Sequence, residues 1–136
     1  GIRGTFGGYT AHPADVDGDG HAEVMIGSVL APADEETRRN GTGRVYVYTR
    51  DPRTGLSNTA AALTFGPPPG SFGFGSVGAP GDLNADGYDD VVVGASPNPA
   101  RSDATEFLYV YHGGHAAWWR APVARIEHPY AFERSE

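Results

Sequence analysis

Asp15-Val16-Asp17-Gly18-Asp19-Gly20-His21-Ala22-Glu23 is written twice in this chain. The second copy, Asp82-Leu83-Asn84-Ala85-Asp86-Gly87-Tyr88-Asp89-Asp90, begins 67 residues later. Both read Asp-x-(Asp/Asn)-x-Asp-Gly-x-x-(Asp/Glu). Both run straight into an apolar segment ending in glycine, Val24-Met25-Ile26-Gly27 and Val91-Val92-Val93-Gly94. An oxygen-rich turn that feeds a buried strand, repeated at one spacing, is the pattern from which the rest of the chain is read.

Acidic side chains at alternate positions of a short loop suit a hard cation. Ca²⁺ takes about six to eight oxygens at about 2.3–2.6 Å. Positions one, three and five offer Asp15, Asp17 and Asp19 in the first loop, and Asp82, Asn84 and Asp86 in the second. Position seven offers the backbone carbonyls of His21 and Tyr88, and position nine the carboxylates of Glu23 and Asp90. Gly20 and Gly87 stand at position six, where the sharp turn favours a left-handed residue. An EF-hand is excluded, because it needs a glutamate at position twelve and flanking helices. Position twelve here is Ile26 and Val93. Asp, Asn and Gly also make good turns without any ion. Charge weighs against that simpler reading. The seven candidate carboxylates match the whole net charge of −7, and four of them crowd the first loop. Like charges this close repel, and a dication relieves the repulsion. Two calcium sites are expected, the second less charged because Asn84 replaces an aspartate.

The 136 residues are the length of one domain. Twenty glycines, eleven prolines and frequent Val, Thr, Tyr and Phe, without a long helical period, indicate short strands and tight turns. No cysteine is present, which removes disulfides and thiol chemistry. The acidic balance argues against nucleic-acid binding, and no apolar run has transmembrane length, so no membrane insertion is expected. All ten basic residues are arginine, a bias of GC-rich genomes such as those of some bacteria. The chain opens on Gly1 rather than Met and shows no signal peptide, so a longer or processed precursor is expected. Calcium loops favour the extracellular side, where calcium is millimolar.

Two units follow from the repetition, over residues 1–66 and 67–136. In the first, strands are predicted at 5–9, 23–27, 44–48 and 61–65, with a charged surface loop over 28–43. In the second they are predicted at 71–77, 91–94, 107–111 and 123–127, with a connector over 97–103. Gly66-Pro67-Pro68-Pro69-Gly70 separates the units, and residues 130–134 resemble the start of a third. The expected fold is all-β: two four-stranded antiparallel sheets, the size and order of β-propeller blades.

Here the residues carry a family signature. Phe74-Gly75-Ser76-Val77, Gly78-Ala79-Pro80, the 82–90 loop, Val91-Val92-Val93-Gly94-Ala95-Ser96-Pro97 and Leu108-Tyr109-Val110-Tyr111-His112-Gly113 resemble the FG-GAP repeat. That repeat forms the blades of the integrin α-subunit propeller and its bacterial relatives. Phe6-Gly7, the 15–23 loop, Ile26-Gly27 and Gly43-Arg44-Val45-Tyr46-Val47-Tyr48 resemble it more loosely. Gly27-Ser28 replaces the Gly-Ala-Pro of the family, and Glu23 its usual Asp. The resemblance implies a calcium-stabilised adhesion or recognition scaffold without enzymatic activity, binding a protein or glycan ligand. Alternatives are an accessory domain of a secreted hydrolase, or a glycan-binding propeller using Trp118 and Trp119. Two blades leave sheet edges and faces uncovered. The chain is therefore expected to be part of a larger propeller or to close one as a homo-oligomer, residues 130–134 pairing with strand 5–9 of a neighbour.

Other motifs fail on inspection. Gly73-Phe74-Gly75-Ser76-Val77-Gly78 has dinucleotide-binding spacing, but Ala79-Pro80-Gly81 cannot open the helix that motif needs. His21-Ala22-Glu23 lacks the cysteines of a zinc deaminase. No Gly-x-Ser-x-Gly nucleophile elbow occurs, and His12, His112, His115 and His128 are scattered. Trp118 and Trp119 also suit packing between blades. Tyr46, Tyr48, Tyr109 and Tyr111 are expected to fill inter-blade space.

Overall fold

The computed structural model describes residues 9–10, 13–29, 43–55, 57–68, 72–96, 106–114 and 117–127. Phe6-Gly7, most of the charged loop, the 97–103 connector, His12, His115, His128 and residues 130–134 lie outside them.

Among the described residues, eight strands form two antiparallel four-stranded sheets, each paired in chain order. The first holds β1 (Tyr9–Thr10), β2 (Val24–Ser28), β3 (Arg44–Tyr48) and β4 (Leu63–Phe65). The second holds β5 (Phe72–Gly81), β6 (Asp90–Ser96), β7 (Phe107–Tyr111) and β8 (Ala124–Glu127). β3 and β7 match the predicted ranges. Of the predicted 5–9 strand only Tyr9 is among the described residues, and β1 carries it on to Thr10; β4 is shorter than 61–65. β5 reaches Gly81, well past the predicted end at Val77. Register shifts against β6 between Phe72 and Ser76, and again between Gly78 and Gly81, let that glycine-rich strand continue to the mouth of the second acidic loop. It is a strand throughout, so the dinucleotide-like spacing within it opens no helix.

The two sheets repeat each other row by row. Val24 pairs with Tyr48 and Ile26 with Tyr46, as Val91 pairs with Tyr111 and Val93 with Tyr109. On the opposite face Gly27, Val45 and Phe65 form a row, as do Gly94, Leu108 and Ile126. These rows meet head to tail. The Met25, Val45, Val47 and Phe65 face of the first sheet is buried against Phe74, Val91, Val93, Tyr109 and Tyr111 of the second. Alternation splits each strand into two faces, and the partner sheet selects between them: in β3 the valines turn inward and the tyrosines outward, while in β7 the two tyrosines turn inward.

Trp118 completes this core. It is 9% exposed, and its ring meets those of Phe65 at 5.5 Å and Tyr111 at 6.4 Å between centroids. Its ring serves packing between the sheets, which removes it from the glycan platform considered above. Trp119 stacks edge-on against it at 5.9 Å. Tyr109 and Tyr111 fill the space between sheets as expected, whereas Tyr46 and Tyr48 lie half-buried on the first sheet's other face. The backbones also approach closely. A Cβ on Gly27 would collide with the Gly75 carbonyl, so only glycine lets β5 sit against β2.

Candidate metal centre

Each acidic loop joins the first and second strands of its sheet. At the base of the first loop, Ala14 bridges Glu23 through reciprocal backbone bonds of 3.2 and 2.9 Å. Gly81 pairs with Asp90 at the same place in the second. Position six is left-handed in both, φ 87° at Gly20 and 91° at Gly87, as the turn chemistry predicts. Position four is left-handed too, at Gly18 (φ 76°) and, against the usual preference, at Ala85 (φ 58°).

The loop backbone orients the carboxylates. Asp15 accepts the N–H groups of Gly18 (2.8 Å) and Gly20 (3.0 Å), and Asp82 those of Asp86 (3.1 Å) and Gly87 (2.8 Å). Asp19 N–H donates to Asp17 at 3.1 Å, His21 N–H to Asp19 at 2.7 Å and Tyr88 N–H to Asp86 at 3.0 Å. Position nine then closes each loop onto position two. Val16 N–H donates to Glu23 Oε2 at 2.9 Å, and Leu83 N–H to Asp90 Oδ2 at 2.6 Å. Each carboxylate oxygen that accepts one of these bonds keeps capacity for a further partner.

One oxygen from each of Asp15, Asp17, Asp19 and Glu23 lies within 4.8 Å of all the others, and so do oxygens of Asp82, Asp86 and Asp90. Two oxygens on a common Ca²⁺ can be separated by at most about 4.6–5.2 Å, twice the bond length. Both clusters fit that limit with an all-oxygen donor set suited to a hard cation. Asn84 directs Nδ2 to Asp86 Oδ2 at 3.1 Å and to His112 Nδ1 at 3.2 Å, so a half-turn of its amide presents Oδ1 instead. The His21 ring is turned away to Arg50, whose Nη1 lies 2.8 Å from Nδ1.

The acids of the two loops differ in their electrostatics. Glu23 is only 2% exposed, and its pKa is pushed up to about 7 by burial and by the charges of Asp17, Asp19 and Asp15, against the Val16 N–H. Burial also raises Asp17, assisted by Asp19 and Asp15. Asp82 moves the other way, lowered first by the Gly87 N–H. Asp90 is fully buried and uses both oxygens, the second accepting Gly113 N–H at 3.0 Å.

The two loops touch, which sequence reading did not anticipate. Asp89, outside the ligand pattern, accepts Asp15 N–H at 2.9 Å and returns its own N–H to the Asp15 carbonyl at 2.9 Å. Gly114 N–H donates to the Val16 carbonyl at 2.8 Å. A Cβ on Gly113 would strike the Asp89 carbonyl, and one on Gly18 would come within 2.5 Å of the Tyr88 ring. The doubled Asp89-Asp90 was the available signal, but a residue beside a ligand reveals no contact with another blade.

Comparison with known proteins follows the same lines. The FG-GAP repeat profile matches residues 7–48 and 74–111, covering both loops. Integrin alpha-10 of Homo sapiens is 36% identical over 123 residues, 90% of this chain and 10% of that protein. Integrin alpha-3 of Cricetulus griseus is 29% identical over 119 residues, 88% of this chain and 10% of its own length. Integrin alpha-8 of Mus musculus is 34% identical over 117 residues, 80% and 10% respectively. The chain thus spans about a tenth of the length of these relatives. With two repeated antiparallel sheets, matching acidic loops and this similarity along most of its length, the chain belongs to the FG-GAP repeat family and is a β-propeller module of integrin type.

Proposed function

We propose that this chain is a non-enzymatic, calcium-binding recognition or adhesion module working outside the cell. The observation that carries the reading is the pair of loops, each bringing carboxylate oxygens within 4.8 Å and closing on a buried acid. Asp15, Asp17, Asp19 and Glu23 supply side-chain oxygens to one ion, and Asp82, Asn84, Asp86 and Asp90 to the other. The carbonyls of His21 and Tyr88 complete the shells. A bound ion neutralises the acids and ties the first hairpin of each blade, so its chemistry is structural. Affinity is expected at a Kd on the order of 10⁻⁴–10⁻³ M, as in extracellular modules. The extracellular setting draws on the likeness to integrin alpha chains. Among the described residues no helix is long and apolar enough to cross a membrane. Native mass spectrometry tests the metal directly: two calcium ions per chain, both removed by chelator, are expected. A protein that stays metal-free in millimolar calcium refutes the reading.

A second reading concerns assembly, and the row equivalence favours it. The face of the second sheet that corresponds to the buried Met25–Val47 and Val45–Phe65 rows bears Val92, Val110, Leu108 and Ile126, with Ile126 53% exposed. A cavity of about 460 Å³ lies over it, lined among others by Gly94, Leu108 and Ile126. The first sheet presents half-buried Val24, Ile26, Tyr46 and Tyr48, the counterparts of the buried Val91, Val93, Tyr109 and Tyr111. Copies repeating the internal contact head to tail close into a ring when the rotation closes, giving six blades from three chains or eight from four. Light scattering should show such a multimer at micromolar concentration, and Ile126→Arg should dissociate it. A folded single-chain mass for the unmodified protein rules out self-assembly and leaves the calcium reading untouched.

A further inference from the structure

We propose that the two cation loops bind calcium cooperatively, and that Asp89, which is not itself a ligand, is the residue that couples them. The inference rests on the calcium reading above. It concerns how one loop is held by the other.

Asp89 brackets the first ligand of the other blade. Its Oδ2 takes the Asp15 N–H and its N–H meets the Asp15 carbonyl, both at 2.9 Å. The bracket lies inside a longer series. The Asp89 N–H belongs to the same peptide group as the Tyr88 carbonyl, the position-seven donor of the second loop. The Asp15 carbonyl belongs to the same peptide group as the Val16 N–H, which donates to Glu23 Oε2 at 2.9 Å. Two peptide groups in series therefore join a donor of the second site to a carboxylate of the first. A second route runs beside it. Asp90 Oδ1 accepts Gly113 N–H at 3.0 Å, and the next N–H, of Gly114, donates to the Val16 carbonyl at 2.8 Å.

Two effects give this arrangement a positive sign. A peptide group whose carbonyl faces a cation is a stronger donor at its N–H, and hydrogen bonds in series polarise one another in the same sense. Drawing the second loop's acids together also fixes Asp89 and Tyr88, so the first loop is already partly ordered when its own acids must converge. Repulsion between the two cations opposes this. It acts through exposed, water-bathed loops where the dielectric is high, whereas the bracket is partly buried and direct.

The test is a cycle of calcium titrations by calorimetry on the whole chain. Asp82→Asn with Asp86→Asn silences the second site, and Asp17→Asn with Asp19→Asn silences the first. Silencing the second site is expected to weaken the first about 5- to 100-fold, and the reciprocal experiment should give the same factor, as linkage requires. Asp89→Ala keeps the backbone bond to the Asp15 carbonyl and the Gly113–Gly114 route but removes the carboxylate that takes the Asp15 N–H, so with all proposed ligands retained it should at least halve the coupling factor. Asp89→Asn keeps an oxygen for the Asp15 N–H and should retain most of the coupling. Circular dichroism in calcium-free buffer checks that each variant is folded; should Asp89→Ala fail, the silencing experiment alone decides. Equal affinities with and without the other site overturn the proposal, as does coupling that survives Asp89→Ala in full. Absence of calcium binding to the unmodified chain removes the calcium reading itself, whereas two independent sites remove only the coupling.

Discussion

Replacing Phe65 by alanine should be among the most damaging single changes in this chain. Phe65 ends the last strand of the first blade yet is held by the second. Its ring lies 5.9 Å from Phe74, 5.3 Å from Tyr111 and 5.5 Å from Trp118 between centroids, at interplanar angles of 74°, 65° and 75°. All three contacts are edge-to-face, the arrangement the ring quadrupole favours, and each such pair is worth about 0.5–1.5 kcal/mol beyond its buried area. Phe65 is 4% exposed, so nearly the whole ring is removed from a sealed site. Phe→Ala in a core costs about 3–5 kcal/mol once the cavity is included, and three lost ring contacts put this site near ~4 kcal/mol. With a urea m-value of about 1–3 kcal/mol per M, the midpoint should fall by roughly 1.3–4 M. The assay is urea unfolding in saturating calcium, followed by tryptophan fluorescence and far-ultraviolet circular dichroism together. Both probes should shift in step, because the tryptophans and both sheets share one core. Thr64→Ala, an exposed neighbour on the same strand, should cost less than ~0.5 kcal/mol of stability. A Phe65→Ala midpoint within about 0.3 M of the original, or two separated transitions in the unmodified protein, would show that the blades do not depend on each other for burial.

Three further outcomes follow from the same contacts. Gly27→Ala forces a methyl into the Gly75 carbonyl and should cost about 1–3 kcal/mol, while Gly114→Ala, whose Cβ meets nothing within 4 Å, should be close to neutral; urea midpoints compare them. Calcium at about a hundred times its Kd should add about 2.7 kcal/mol per site through mass action, read as a thermal shift that chelator reverses; an identical melting curve with and without calcium contradicts it. In chelated protein Glu23 titrates near 7 rather than at its ordinary 4.5, so its contribution is fully present below about 4.5 and is lost as pH rises through 7. The loss is about 2–4 kcal/mol at ~1.4 kcal/mol per pH unit, should vanish in Glu23→Gln, and is checked by urea midpoints across this range.

What was legible in the sequence is what local chemistry decides. A loop of Asp and Gly at alternate positions announces its own turns, because side-chain oxygens and left-handed glycines act within a few residues. The oxygens of Asp15, Asp17, Asp19 and Glu23 therefore converge as their spacing required, and β3 and β7 appear where alternation placed them. Even here a local rule can be masked. Gly18 advertises a left-handed position four, but its counterpart Ala85 adopts the same conformation without a glycine to signal it. The two loops nonetheless share a first acid that gathers the N–H groups of the turn, Asp15 in one and Asp82 in the other. The remainder depends on one sheet lying against another. Whether valines or tyrosines of a Val-Tyr-Val-Tyr strand turn inward is settled by the partner sheet, and here each answer occurs once, Val45 and Val47 in the first blade against Tyr109 and Tyr111 in the second. Asp89 is the sharpest case. In its own loop it looks like a spare acid between two ligand positions. Only the stacking of the blades brings it against Asp15, 74 residues away, at the backbone of a candidate ligand in the other loop. A repeat whose units bury one another sets contacts of one loop in the neighbouring unit, and the pattern within one unit does not reveal which residues make them.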